Sequence, residues 1–185
     1  KELAYTLYIV PHAQKYTPFC ISKKNGASRN ILAPIERLKW LQRRLLEVLY
    51  ECEDDITSSL GMSSNLHYGF RRGANIFENA YAHRKRRFVL NIDIANYFDQ
   101  FNFGRVRGFF IRDQLFQLKP PVATTIAQIA SFANVLPQGS PCSPHIANLA
   151  SRFFDIRMTR FLRGRRCRYT RYADDITIST DTREF

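Results

Sequence analysis

The sequence is short of acids, of cysteine and of long apolar runs, and each shortage excludes something. Its four cysteines, Cys20, Cys52, Cys142 and Cys167, lie far apart without a Cys-x-x-Cys pair. That spacing offers neither a zinc site nor a disulfide framework and fits a reducing, cytoplasmic setting. No apolar stretch approaches the ~20 residues needed to span a bilayer, and the first residues lack the order of a signal peptide, so no membrane partner is expected. There is no internal repeat, low-complexity tract or linker. Acids number 16 against 28 Lys plus Arg, a formal charge of +12, which attracts polyanions over a Debye length of about 10 Å. Charge alone suggests nucleic acid first and a basic ribosome-associated protein second. What is present is globular: 185 residues, 45% hydrophobic and 14% aromatic, enough for one domain or two closely packed lobes.

Along the chain, β-type runs at Phe19 to Ser22 and Asn30 to Leu32 flank Lys23-Lys24-Asn25-Gly26, and Asn-Gly predicts a basic-tipped hairpin. After Pro34, Ile35, Leu38, Leu41, Leu45, Val48 and Leu49 recur at helical spacing, which predicts an amphipathic helix ending near Glu51. Ser58 to Asn65 reads as a loop and Asn75 to His83 as a helix before the charge run Arg84 to Arg87. In FVLNIDIANYFDQF, Phe88, Leu90, Ile92 and Ile94 alternate with Val89, Asn91 and Asp93. Asp93 therefore falls near the C-terminal end of a strand, opposite the main apolar row. Helices are expected at Phe103 to Phe116 and Thr124 to Ala133, separated by Pro120-Pro121. Ser143-Pro144 is an N-cap and first-turn pair for a helix reaching about Leu162. A basic loop, Arg163 to Arg168, then leads into a hairpin carrying Tyr172-Ala173-Asp174-Asp175.

Adjacent carboxylates repel, and a turn is satisfied by one Asp and a Gly. Asp93 and Asp174 are 174 − 93 = 81 residues apart, yet each sits at a strand end, where a central sheet can gather them. Hard oxygen ligands favour Mg²⁺, which takes its other oxygens from water and substrate phosphates. In a two-metal site, ions roughly 3.5–4 Å apart stabilise the attacking and leaving oxygens of phosphoryl transfer. Taken alone, Ala-Asp-Asp reads first as a solvated turn with an unrelated strand-end Asp.

Three segments in order, NIDIANYFDQF, LPQGSPCSPHIAN and RYADDITIS, resemble the palm motifs of reverse transcriptases, nearest to bacterial retron-type enzymes. KKNGASRNILAP is similar to their fingers hairpin, and NAYAH at Asn79 to His83 to the Asn-Ala-x-x-His element of retrons. The resemblance implies an α+β, right-hand polymerase fold: fingers over residues 1–87, a palm of antiparallel sheet and packed helices over 88–185, and the thumb absent from this chain. It implies an RNA-directed DNA polymerase that adds dNTPs to a primer 3′-OH with two Mg²⁺ ions, Mn²⁺ being the alternative. The partners it implies are an RNA template, a DNA or RNA primer and a retron non-coding RNA, with a role in phage defence.

Residue by residue, Asp93, Asp174 and Asp175 would be catalytic and hold metal together with the Ile94 carbonyl. Lys23 and Arg29 would contact the triphosphate, Arg as a bidentate fork and Lys as a point charge, with Lys24 able to exchange roles with Lys23. Phe98, five residues after Asp93, would lie beneath the incoming sugar and clash with a 2′-hydroxyl; as an aromatic it reads equally as core. Gln138 would lie near the sugar, and Gly139 would let backbone approach substrate. Arg84, Lys85, Arg86, Arg87, Arg163, Arg165 and Arg166 suit phosphates of a template–primer duplex. His83 reads as an RNA contact or as a satisfied structural histidine. Two competitors remain. A group II intron maturase-like enzyme usually has Pro-Gln-Gly-Gly where this chain has Ser140, and a non-catalytic RNA-binding scaffold gains nothing from clustered acids near RNA.

Overall fold

A computed structural model of the chain describes residues 1–22, 26, 28–60 and 67–183. In chain order the helices are α1 (Glu2–Ala4), α2 (Glu36–Leu60), α3 (Ile76–Ala82), α4 (Phe103–Arg112), α5 (Pro120–Ala130) and α6 (Ser143–Arg163). The strands are β1 (Tyr16–Ser22), β2 (Ser28–Pro34), β3 (Phe88–Asp93), β4 (Arg168–Tyr172) and β5 (Asp175–Thr180). Helices beside two antiparallel sheets, β1-β2 and β3-β5-β4, make the class α+β. Two compact units interleave along the chain: Lys1–Leu60 with Phe98–Ala147, and Gly61–Tyr97 with Asn148–Phe185. Among the described residues all four cysteines are free, and no helix is long and apolar enough to cross a membrane.

In the first unit the hairpin is longer than the β-type runs suggest, with Tyr16 paired to Pro34 and Ser22 to Ser28. Its base is tied inward: buried Gln42 donates through Nε2 to the Tyr16 hydroxyl at 2.7 Å and to the Ile129 carbonyl at 2.9 Å. Helix α2 runs to Leu60 rather than ending near Glu51. Between Cys52 and Leu60 no Gly or Pro interrupts it, and acids on an exposed face do not stop a helix. Residues 58–60 are thus helical, while the rest of the loop expected there, residues 61–65, lies outside the described residues.

Two further boundaries moved. Helix α4 stops at Arg112, four residues before Phe116, because the Asp113 carboxylate accepts the Leu115 N–H at 2.9 Å. Such a local side-chain bond competes with the helical ladder. Phe116 then folds back edge-on against Phe109 and Phe110. Helix α5 begins at Pro120, so the two prolines open the helix instead of separating two; the first turn needs no N–H from them. It ends at Ala130, and Ala133 and Asn134 take left-handed φ values.

In the second unit β5 is the central strand, pairing antiparallel with β3 on one side and β4 on the other. Ile176 and Ile178 pack with Tyr169 and Leu162, joined by Met158 of α6. Residues opposite one another across strands share a face, so the registers put Leu90, Ile92 and Tyr169 on that α6 face. Asn91, Asp93, Thr177, Ser179, Asp175 and Thr170 take the other face.

Candidate active site

Strand β3 ends on Asp93, and its register with β5 sets Asp93 directly opposite Asp175. Opposed residues hold their Cβ atoms about 4.5–5.5 Å apart, so two residues 82 positions apart in sequence (175 − 93) share one small patch. Asp174 lies beside them in the two-residue loop closed by the Tyr172–Asp175 pair. Its carbonyl accepts the Ile94 N–H at 3.0 Å, which carries the β3–β5 pairing one step past the carboxylates.

Burial first, and then the charges of Asp174 and Asp93, raise the Asp175 pKa above its ordinary value. Among the described residues no Lys or Arg pairs with any of the three acids. None of the described His, Cys, Asp and Glu side chains forms a group of three already arranged to hold a metal ion. Two opposed carboxylates with a third beside them nevertheless fit a hard divalent cation. Mg²⁺ accepts a partial protein shell and completes it with water and phosphate oxygens.

The turn itself is held from behind. Ala173 takes φ +58°, a left-handed conformation that costs a non-glycine residue roughly 1–2 kcal/mol and persists only when its surroundings dictate it. Here they do. Arg171, fully buried, donates through Nη1 to the Ala173 carbonyl at 2.9 Å, to the Tyr97 hydroxyl at 2.9 Å and to Asn148 Oδ1 at 3.0 Å. Its Nε and Nη2 grip both oxygens of buried Asp155, at 2.8 and 2.7 Å. Burial alone would lower the guanidinium's basicity; the Asp155 carboxylate outweighs it and holds Arg171 charged. Tyr169 donates to the same carboxylate at 2.6 Å. Behind the turn, Asn148 holds the Gly69 carbonyl at 2.6 Å, and a Cβ on Gly69 would sit 2.5 Å from the Ala173 nitrogen.

Helix α3 covers part of the carboxylate face of the sheet. His83 bonds Ser179 Oγ through Nδ1 and Thr170 Oγ1 through Nε2, each at 2.7 Å, and Thr170 donates to Asn79 Oδ1 at 2.5 Å. Burial, reinforced by the charges of Arg168 and Arg86, lowers the His83 pKa to about 4, so the ring is neutral at pH 7. Of its two readings the structure gives the structural one.

The remaining sequence-selected residues are dispersed. Arg29 is exposed on β2 opposite Ile21; Lys23 and Lys24 lie outside the described residues. Phe98 is half-buried in the 3-10 turn Tyr97–Gln100. The Gln138 carbonyl accepts the Leu32 N–H at 2.7 Å. Gly139, at φ +122°, has no room for a side chain because a Cβ would meet the Leu32 carbonyl at 2.5 Å. These four described residues belong to the first unit and the aspartates to the second. Arg86 is paired to Asp181, which also accepts the Arg87 N–H at 3.2 Å. Arg84, Lys85, Arg163, Arg165 and Arg166 are exposed, with Arg165 stacked 3.8 Å from the Phe161 ring centroid. Sequence reasoning missed Arg171, Asp155, Asn148 and Gly69. The available signal was an acid, Asp155, in the inward row Ser151, Asp155, Met158 and Leu162 of α6.

Known proteins similar to this chain carry a common description. The chain is 34% identical over 184 residues to the retron Mx65 reverse transcriptase of Myxococcus xanthus, covering 90% of this chain and 40% of that protein. It is 31% identical over 174 residues to the retron Ec86 reverse transcriptase of Escherichia coli, covering 91% and 50%. With the retron Mx162 reverse transcriptase of Myxococcus xanthus the figures are 29% over 185 residues, 92% and 36%. The chain thus spans half or less of the length of these relatives. The family model described as "Reverse transcriptase (RNA-dependent DNA polymerase)" matches residues 21–184, and the chain belongs to that family.

Proposed function

We propose that this chain carries the catalytic carboxylates of a retron-type RNA-directed DNA polymerase, within a right-hand fold whose fingers region is residues 1–87 and whose palm region is 88–185. The observation that carries the reading is the cross-strand pair Asp93–Asp175 with Asp174 in the adjoining turn. Two Mg²⁺ ions, or Mn²⁺, held by Asp93, Asp174, Asp175 and the Ile94 carbonyl would supply Lewis-acid stabilisation of the reacting phosphoryl oxygens. The protein's own part is to fix three acids at one end of the sheet, through the β3–β5 register and the Arg171 clamp, so that little reorganisation accompanies reaction. In this reading Lys23 and Arg29 receive the triphosphate, Phe98 lies beneath the sugar, Gln138 and Gly139 border it, and the basic residues at 84–87 and 163–166 meet template and primer phosphates. Its setting is cytoplasmic, and its RNA a retron transcript serving phage defence.

The test is primer extension on an RNA template with Mg²⁺ by the full-length protein that carries this chain. Asp174→Asn should abolish extension and leave RNA binding intact. Undiminished single-turnover extension by that variant would overturn the assignment. The maturase-like alternative has no comparable support, since the relatives named above are retron enzymes.

A further inference from the structure

Helix α3 has two rows four residues apart, and the polymerase reading uses neither. Asn79 and His83, the residue that caps α3, form the inner row, buried and bonded to Thr170 and Ser179. Residues four apart lie on one helix face, so Phe77 and Tyr81 form a second row turned away from the first. Phe77 is 80% exposed, Tyr81 59% and neighbouring Ile76 55%. Single exposed apolar residues need no explanation, but here two rings share one face of a helix whose orientation three buried hydrogen bonds fix. Arg84 sits over the Tyr81 ring, its guanidinium carbon 3.6 Å from the ring centroid.

Charge selects the occupant. Residues 67–92 hold six cations, Arg71, Arg72, Arg84, Lys85, Arg86 and Arg87, against one acid, Glu78. Arg86 is engaged by Asp181, and among the described residues no carboxylate pairs with Arg84 or Lys85. An apolar protein partner would have to desolvate these charges. A single-stranded polynucleotide meets both features, with phosphates for the cations and π-faces for the rings; unpaired bases stack on aromatic side chains and on guanidinium planes. A duplex keeps its bases stacked on one another and offers only its phosphates.

We infer that the outer face of α3, Phe77 and Tyr81 with Arg84 extending the stack, is a platform for unpaired bases of RNA. The inference rests on the polymerase reading for the presence of RNA and adds where its single-stranded segments are held. It also gives the buried Asn79 and His83 a function, which is to aim the platform.

Fluorescence anisotropy on this chain tests it, with an unstructured RNA of about 16 nucleotides and an RNA duplex of the same length as probes. Phe77→Ala and Tyr81→Ala should each weaken single-strand binding about 5- to 140-fold and leave duplex binding unchanged. Both rings protrude, so their truncation opens no cavity, and Phe77→Leu, which keeps bulk and loses the π-face, should behave like Phe77→Ala. Arg84→Lys should weaken single-strand binding without changing its salt slope, whereas Lys85→Ala should reduce that slope by about 0.7. Equal losses on both probes, no loss on either, or a change of oligomeric state in place of RNA affinity would overturn the inference and leave the polymerase reading standing. Failure of the unmodified chain to bind either probe would overturn both.

Discussion

Replacing Asp155 with Ala should destabilise the chain by about 3–5 kcal/mol, the usual cost of removing one partner of a buried ion pair. The structure supports that magnitude in two ways. The substitution removes both Arg171 bonds to the carboxylate, at 2.8 and 2.7 Å, and the Tyr169 bond at 2.6 Å; hydrogen bonds to charged groups contribute about 1.5–3 kcal/mol each and are not additive. It also leaves a guanidinium at 0% exposure without a counter-charge. Against a typical domain stability of about 5–15 kcal/mol, the loss is a fifth or more of the whole. Urea unfolding followed by circular dichroism measures it as a fall in midpoint at constant slope. The double variant Arg171→Met with Asp155→Leu should recover most of the stability, because an apolar pair of similar volume does not need the charges. It would still lack the donor to the Ala173 carbonyl, so in the full-length enzyme primer extension should stay low when stability returns. A cost below about 1 kcal/mol for Asp155→Ala, the scale of a solvated surface pair, would refute the reasoning.

Three further outcomes follow from single sites. Burial holds His67 and His83 at pKa values of about 4, below the ordinary 6.5; the unfolded chain therefore binds more protons between those values, and stability should fall as pH drops from about 6.5 to 4. Thermal melts across that range check this, His83→Gln should flatten part of the slope, and a midpoint insensitive to pH there would contradict it. Gly69→Ala should push the Ala173 turn out of place, because the new Cβ would lie 2.5 Å from a backbone nitrogen; extension by the full-length enzyme should drop, and an unchanged rate would show that the turn yields freely. Phe98→Ala should admit ribonucleotides if the ring lies beneath the sugar, and unaltered dNTP over rNTP selection in a competition assay would mark Phe98 as packing alone.

Elements whose chemistry is local were legible in the sequence. Alternation around Asp93, the Asn-Gly hairpin, Ser143-Pro144 at the start of α6 and the hairpin carrying Asp174-Asp175 each depend on a few neighbouring residues, and they form close to where those residues point. Boundaries that depend on partners were less so. Phe116 leaves its helix because Asp113 caps the chain and two rings receive it, and Gly139 is required by a carbonyl on β2, 107 positions earlier (139 − 32).

The sequence by itself determined the basic character; its motifs, taken in order, carried the likeness to reverse transcriptases with the α+β class it implies, and singled out the three acids as candidates. Register and burial were decided only by the tertiary structure. A strand's side-chain period of two tells which residues share a face, but not which residue of a distant strand stands opposite; the pairing of Asp93 with Asp175 exists only once β3 and β5 align. Likewise Arg171 reads as one more arginine among 28 basic residues until folding removes it from water. Only then does its charge need Asp155, and only then can its remaining donor hold the Ala173 turn that presents Asp174.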